Sequence, residues 1–393
     1  MLFKLAWKNI WHKPLNAILS VMLLSASVAI IAIVMLVQKQ FEDQFTKQLD
    51  GVDLILGAQG SPLQLVLSSL YHVDSPTGNI SMTEANKYLK HPHVKQAIPL
   101  AFGDNFAGYK IVGTTEDFIK KYDAKIASGS FFSNNFEVVI GHQVALNKQL
   151  KIGSTFYGTH GEGDEGHVHE EQTYKVVGIL APSETALDFL VLCNVAGVWK
   201  IHNHEEVKHD SIGEITAALL KMKNKMSILT WQRQVSADSK LQAVSPAIEI
   251  NRLFSLFGIG IEGLKYLAFG LMFISAISIF IALYNALKAR KYEFALMRIS
   301  GASQFQLLCS LLLESLFLGL VGFVLGLVLS RIGLYLLSLK TQSDFKLALN
   351  VWQFSFENEG ILLIFTLFIA IFAALIPAFK TYQISIAKTI SHA

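Results

Sequence analysis

The sequence predicts an α-helical membrane protein with four transmembrane helices and an α+β extracytoplasmic domain inserted between helices 1 and 2. Three observations carry that expectation. Of 393 residues, 52% are hydrophobic and only 16% charged, where soluble domains average about 25% charged. The apolar residues concentrate in four runs, Leu15–Val37, Leu264–Leu287, Leu307–Leu339 and Ile361–Ile376. The first three exceed the ~20 residues that span hydrocarbon, and the fourth reaches that length with its flanks. Finally, Lys and Arg gather in the N-terminal segment, in residues 288–303 and in the C-terminal tail (Lys380, Lys388), whereas the connector after the third run is not basic. By the positive-inside rule both termini and the 288–303 stretch face the cytoplasm, which leaves residues 38–262 outside. The net charge of +3 lies largely in the inner loops, so it is no argument for nucleic acid.

Residues 1–37 read as a surface helix followed by the first membrane helix. Leu2–Pro14 places Phe3, Leu5, Trp7, Ile10 and Trp11 as interfacial anchors. A basic start and the small residues Ser27-Val28-Ala29 are features of a cleaved signal peptide. The apolar run nevertheless continues through Ile30, Ile31, Ile33, Val34 and Leu36, which predicts a retained anchor. Past the span, Phe41, Phe45 and Leu49 keep a helical rhythm. Ile248–Leu264 does the same with Leu253, Phe254, Leu256, Phe257 and Ile261, so two stalk helices are expected to pack together.

The outer domain, residues 38–262, mixes both periodicities. Val52–Gly57, Tyr109–Val112, Glu137–Ile140, Tyr174–Leu180, Ala186–Leu192 and Thr216–Met222 read as strands. Glu116–Tyr122 and Val144–Leu150 read as helices, and Met82–Leu89 as a helix opened by a capping box of Ser81 and Glu84. Gly57–Pro62 is a turn cluster without a Lys in phosphate-loop spacing. Cys193 lies outside and Cys309 near the inner end of the third helix, so no disulfide joins them.

Residues 263–393 hold the other three membrane helices and, at 288–303, a short amphipathic helix on the inner surface. Arg290, Glu293, Phe294, Met297 and Arg298 recur there at three- and four-residue spacings, a face able to dock and to carry charge, and Gly301 ends the helix. In the third span Gly319, Gly322 and Gly326 invite close approach of another helix, from this chain or from a second subunit. Glu314 is a carboxylate inside that span. It is either an ion site or half of a pair with Arg290 or Arg298, and about two turns from the inner end the pair is the cheaper arrangement.

Outside, residues 160–171 hold three His and five carboxylates. His160, His167, His169 and Glu170 are of the types that bind Zn or another transition metal. The same composition suits a solvated, Gly-rich hairpin tip, and both readings stay open. His202, His204 and His209 form a weaker group. No catalytic constellation and no Walker-type Gly-x-x-x-x-Gly-Lys-Ser/Thr occurs, which predicts a non-catalytic subunit.

The pattern basic-x-x-Glu-x-Ala-x-x-Arg-x-x-Gly-Ala, from Arg290 to Ala302, resembles the cytoplasmic loop of FtsX/MacB-like (type VII, lipoprotein-release-like) ABC transporter permeases. Ala6–Trp11 with Lys13-Pro14 is similar to that family's N-terminal signature. Gly141–Gly153 followed by Tyr174–Leu180 resembles the MacB-type periplasmic core, and Pro377-Ala378 with Lys380 matches its C-terminal pattern loosely. The resemblance implies a homodimeric permease without a fused ATPase, in a bacterial inner membrane with the large domain periplasmic. It implies a cytoplasmic ABC ATPase, carrying ATP and Mg, docked on Arg290, Glu293, Phe294, Met297, Arg298 and Gly301. Such permeases convert ATP-driven closure into motion of the periplasmic domain, to export or extract an envelope substrate with a periplasmic adaptor or substrate protein. Alternatively they activate an envelope enzyme or receptor without transporting.

Overall fold

The computed structural model describes residues 14–159, 168–202, 213–238, 240–344 and 349–381. The chain forms two compact units, one of Met1–Phe41 with Phe257–Ala393 and one of Glu42–Leu256.

The Glu42–Leu256 unit is built on a ten-stranded mixed sheet. Its described strands, with those of a small second sheet, are β1 Leu54–Ala58, β2 Ile80–Ser81, β3 Val94–Phe106, β4 Tyr109–Thr114, β5 Ile126–Gly129, β6 Glu137–Ile140, β7 Thr155–Thr159, β8 Val168–Leu180, β9 Val191–Asn194, β10 Glu214–Ile215, β11 Ala217–Met222 and β12 Leu241–Val244. The order is β12-β1-β11-β3-β4-β9-β6-β8-β5, with β7 against β3 and β8, while β10 and β2 pair apart. Strands β4–β9 and β6–β8 run parallel, and the other pairs antiparallel. β1, β11 and β12 are apolar at nearly every position and almost wholly buried, the pattern of strands covered on both faces. Leu54, Ile111, Val138, Tyr174, Leu220 and Trp231 belong to one continuous core.

Two local expectations are corrected. The Met82–Leu89 helix exists, but Ser81 makes no side-chain cap. Ser81 pairs instead with Glu214 in the small sheet, and the Met82 N–H donates to the Gly213 carbonyl at 3.1 Å. The Met82 N–H is a first-turn donor that a Ser81 side-chain cap would not have served, so the helix start is held by long-range pairing instead. Ala186–Leu192 is not one strand. Ala186–Phe189 is a 3-10 turn and only Val191–Asn194 is extended. Buried Asp188 explains the turn, since its carboxylate accepts from the Ser183 and Glu184 N–H groups and from the Ser183 hydroxyl.

Among the described residues of the other unit, four helices are long and apolar enough to cross a membrane. They are the first, Pro14–Leu49, the second, Pro246–Ala289, the third, Gln304–Asp344, and the fourth, Phe356–Lys380. At about 1.5 Å per residue the first three run to roughly 55–65 Å, about twice the hydrocarbon thickness. Leu24, Val28, Met272, Ile279, Leu311 and Ala374 form the common core of this unit. Both passages of the chain from one unit to the other fall inside uninterrupted helices, the first and the second.

Candidate functional site

The polar stretch between the second and third membrane helices folds as a separate nine-residue helix, Lys291–Ile299. Arg290 marks the break before it. Its Nε lies 3.2 Å from Glu293 Oε2 and its Nη1 3.3 Å from Glu314 Oε1. The Arg290 and Glu314 side chains are 9% and 4% exposed, so the intramembrane carboxylate of the third helix is held by a buried ion pair. Phe294 is 2% exposed and belongs to the bundle core, and Ala295 beside it is fully buried. Charge compensation plus apolar burial thus tie the short helix to the bundle at its first turn.

Its far end is closed as firmly. Gly301 adopts φ +95°, a conformation that glycine takes without Cβ strain. The Ala302 N–H returns to the Met297 carbonyl at 2.9 Å, and Arg298 Nη1 donates to the Ala302 carbonyl at 3.0 Å. The third membrane helix then opens with a reciprocal capping box. The Ser303 N–H donates to Gln306 Oε1 (2.8 Å) and the Gln306 N–H to Ser303 Oγ (3.2 Å). Sequence reasoning missed that Ser-x-x-Gln signal, although it was there to be read.

The six residues expected to dock a partner therefore divide. Arg290 and Phe294 face the chain's own core, Met297 is half-buried, Arg298 caps the helix end, Gly301 turns the chain and Glu293 is exposed. The open face is made by Lys291, Tyr292, Glu293, Leu296 and Ile299, continued by Phe305. Tyr292, Leu296, Ile299 and Phe305 are 48%, 45%, 60% and 65% exposed.

The glycines of the third helix meet helices of this same chain. A Cβ on Gly322 would stand 2.7 Å from Leu24 Cδ2, one on Gly326 2.6 Å from Val28 Cβ, and one on Gly319 2.9 Å from Ala370 Cβ. Gly333 continues the row against Ile33. First and third helices thus approach along one small-residue seam, and the fourth packs on the adjoining face.

Arg331, toward the opposite end of the third helix, is a site residue that the apolar context concealed. It forms an ion pair with Glu359 of the fourth helix and donates to the Gln353 carbonyl at 3.0 Å. Its guanidinium lies 4.7 Å from the Phe354 ring centre. Gln40 and Asn350 exchange two hydrogen bonds of 2.9 Å beside it. A lone Arg in an apolar run is the signal that could have found this cluster.

Of the metal-ligand candidates, His160 and His167 lie outside the described residues, as do His204 and His209. His169 and Glu170 fall in β8, with only their backbone described. The Leu2–Pro14 helix, apart from Pro14, and the tail beyond Thr381 lie outside the described residues too.

Two family models match the chain. One, described as a MacB-like periplasmic core domain, covers residues 17–228, and the other, described as FtsX-like permease C-terminal, covers residues 266–386. A relative in Mycobacterium tuberculosis, an uncharacterized ABC transporter permease protein, is 25% identical over 276 residues, 67% of this chain. The match spans only 30% of that relative's length. Among solved structures, the periplasmic region of MacB from Actinobacillus actinomycetemcomitans aligns with a TM-score of 0.35 at 10% identity, over 54% of this chain and 96% of that one. The extracellular domain of the noncanonic ABC-type transporter YknZ from Gram-positive bacteria aligns with a TM-score of 0.32 at 11% identity, over 49% and 99%.

Proposed function

This chain belongs to the FtsX-like ABC transporter permeases that carry a MacB-like periplasmic core domain, and we propose that within that family it is the membrane subunit on which a separate cytoplasmic ABC ATPase docks. The ATPase binds ATP and Mg, and this chain supplies the docking element, the membrane anchor and the outer domain. The observation that supports the reading is the two-sided Lys291–Ile299 helix. One side is locked to the bundle by the Arg290–Glu314 pair and Phe294, while the other leaves Tyr292, Leu296 and Ile299 uncovered. A surface helix that merely rests at the interface needs neither a buried ion pair at its start nor a closed turn at its end. A helix that transmits force needs both.

In this reading the chain sits in a bacterial inner membrane with both termini and the short helix cytoplasmic. It works as a dimer, and closure of the ATPase moves the outer domain through the first and second helices to export or extract an envelope substrate. Co-expression with the ATPase of the same transporter tests the docking step. Tyr292→Asp together with Leu296→Asp is expected to lower co-purification of the ATPase at least about ten-fold, because a charged group is desolvated at the contact. Membrane insertion stays intact, since both side chains are exposed. Undiminished co-purification would falsify the assignment.

A further inference from the structure

One surface of the Glu42–Leu256 unit has a charge and shape that the ATPase reading leaves unused. Residues 87–95 hold three Lys, two His and no Asp or Glu, and residues 221–237 hold three Lys, one Arg and no Asp or Glu. The fold brings these two stretches together. Val94 of β3 pairs with Met222 of β11, and the Lys223 N–H donates to the His93 carbonyl at 2.9 Å. Trp231, 4% exposed, fills the space beneath, its ring 6.0 Å from Tyr88 and 5.9 Å from His91. Lys87, Lys90, Lys95, Lys223, Lys225 and Arg233 are all exposed. Among the described residues none of them forms an ion pair.

A purely electrostatic patch would be polar throughout, and this one is not. Met226 is 86% exposed and Leu229 58%, both set among those cations on the turn and first residues of the Ile228–Asp238 helix. Beside them Leu229, Gln232, Arg233, Ser236 and Ala237 line a hollow of about 570 Å³. An apolar centre with Met and Arg inside a charged rim is the composition of a protein-binding surface. The rim charges steer the encounter and select the partner, and the apolar centre holds it. The hollow beside Met226 and Leu229 would admit a protruding side chain, which a bilayer surface does not present.

We propose that the surface formed by Lys90, Lys223, Lys225, Met226, Leu229 and Arg233 docks an extracytoplasmic protein partner that presents carboxylates around an apolar side chain. The proposal stands apart from ATPase docking, because it concerns the other unit and a different binding partner.

The test uses the full chain in cells that naturally make it, with a photo-crosslinking amino acid at Met226. The expected result is a discrete protein adduct whose crosslinked peptide is rich in Asp and Glu. Lys223→Glu with Lys225→Glu and Arg233→Glu should lower the adduct at least ten-fold, and Leu229→Ser should weaken it as well. Lys125→Glu, exposed elsewhere on the same unit, should leave it unchanged. A protein adduct that survives the triple reversal overturns the proposal, as does an adduct to phospholipid alone or the absence of any adduct.

Discussion

His72 shows what burial does to a single side chain. It sits in the left-handed region at φ 54°, with Phe102 and Phe118 rings 5.4 and 6.1 Å away. Both ring nitrogens are buried without a hydrogen-bond partner among the described residues. Burial first, then the charges of Lys110 and Lys121, push its pKa down to about 3. The folded His72 is therefore neutral throughout the range in which an unfolded histidine, with a pKa near 6.5, takes up a proton. Unfolding binds more protons between pH 6.5 and 3, so the outer unit loses stability as pH falls through that window, by about 2 kcal/mol at pH 5. His72→Asn keeps a residue tolerant of left-handed backbone and removes the titration. Denaturation midpoints of the full chain at pH 7 and pH 5 should lie closer together in the variant than in the parent, and an equal gap would remove His72 from the account. Glu314 presents a different case, a buried carboxylate set 3.3 Å from the Arg290 guanidinium. Glu314→Leu strands the Arg290 guanidinium with only the exposed Glu293, a loss of about 3 kcal/mol or more. Arg290→Met with Glu314→Leu should regain most of the melting temperature, since a well-packed apolar pair of similar volume replaces a buried ion pair at little cost. If the double variant melts no higher than the single, the pair is not coupled as described.

At the scale of the element, the glycine seam of the third helix separates soft contacts from hard ones. The added methyl of Gly322→Ala meets Leu24 Cδ2 at 2.7 Å and Cγ at 3.0 Å, atoms that a rotamer change can move, and the fixed Cβ only at 3.2 Å. The methyl of Gly326→Ala meets Val28 Cβ at 2.6 Å and the Ser25 carbonyl oxygen at 2.9 Å, neither of which can swing away. Gly322→Ala should cost about 1 kcal/mol and be rescued by Leu24→Ala, whereas Gly326→Ala should cost about 3 kcal/mol and resist rescue. Thermal unfolding in detergent measures both, and equal losses would mean that the seam can shift as a body. The elements also show why part of the fold was legible in advance. Four spans could be read because each is longer than any soluble core helix needs to be. The Ser-x-x-Gln box at Ser303 forms where the third membrane helix opens. The similar Ser81–Glu84 spacing makes no side-chain cap, and Ser81 is instead held in the small sheet opposite Glu214. Spacing shows which local bond is available, but only the assembled chain shows which bond wins. The residues expected to dock a partner followed the same rule. Their helical periodicity was plain, but which side of that helix is inward depended on Glu314, a group one helix away.

For the whole molecule the consequence lies in how the chain joins its units. The outer unit is an insertion, and both of its covalent connections are helical, within Pro14–Leu49 and Pro246–Ala289. A flexible linker would let the outer unit diffuse freely, whereas a continuous helix carries torque and displacement along its length because each turn is hydrogen-bonded to the next. Family membership brings the permease, but it is this continuity that makes a mechanical role for the outer domain physically reasonable. The prediction is that four residues, Gly-Ser-Gly-Ser, inserted after Asp43 and again after Arg252 will uncouple the two units. ATPase co-purification should persist, since the Lys291–Ile299 helix is untouched. With Cys309, which is only partly buried, replaced by Ser, a fluorophore on a cysteine introduced at exposed Ser130 reports the outer unit, the native Cys193 being buried and its thiol pKa raised by burial. In the uninterrupted chain the signal should change when ATP is added to the reconstituted permease–ATPase complex, and in the doubly interrupted chain that change should vanish while ATP hydrolysis continues. A response that survives both insertions would mean that motion reaches the outer unit by some route other than its two helices.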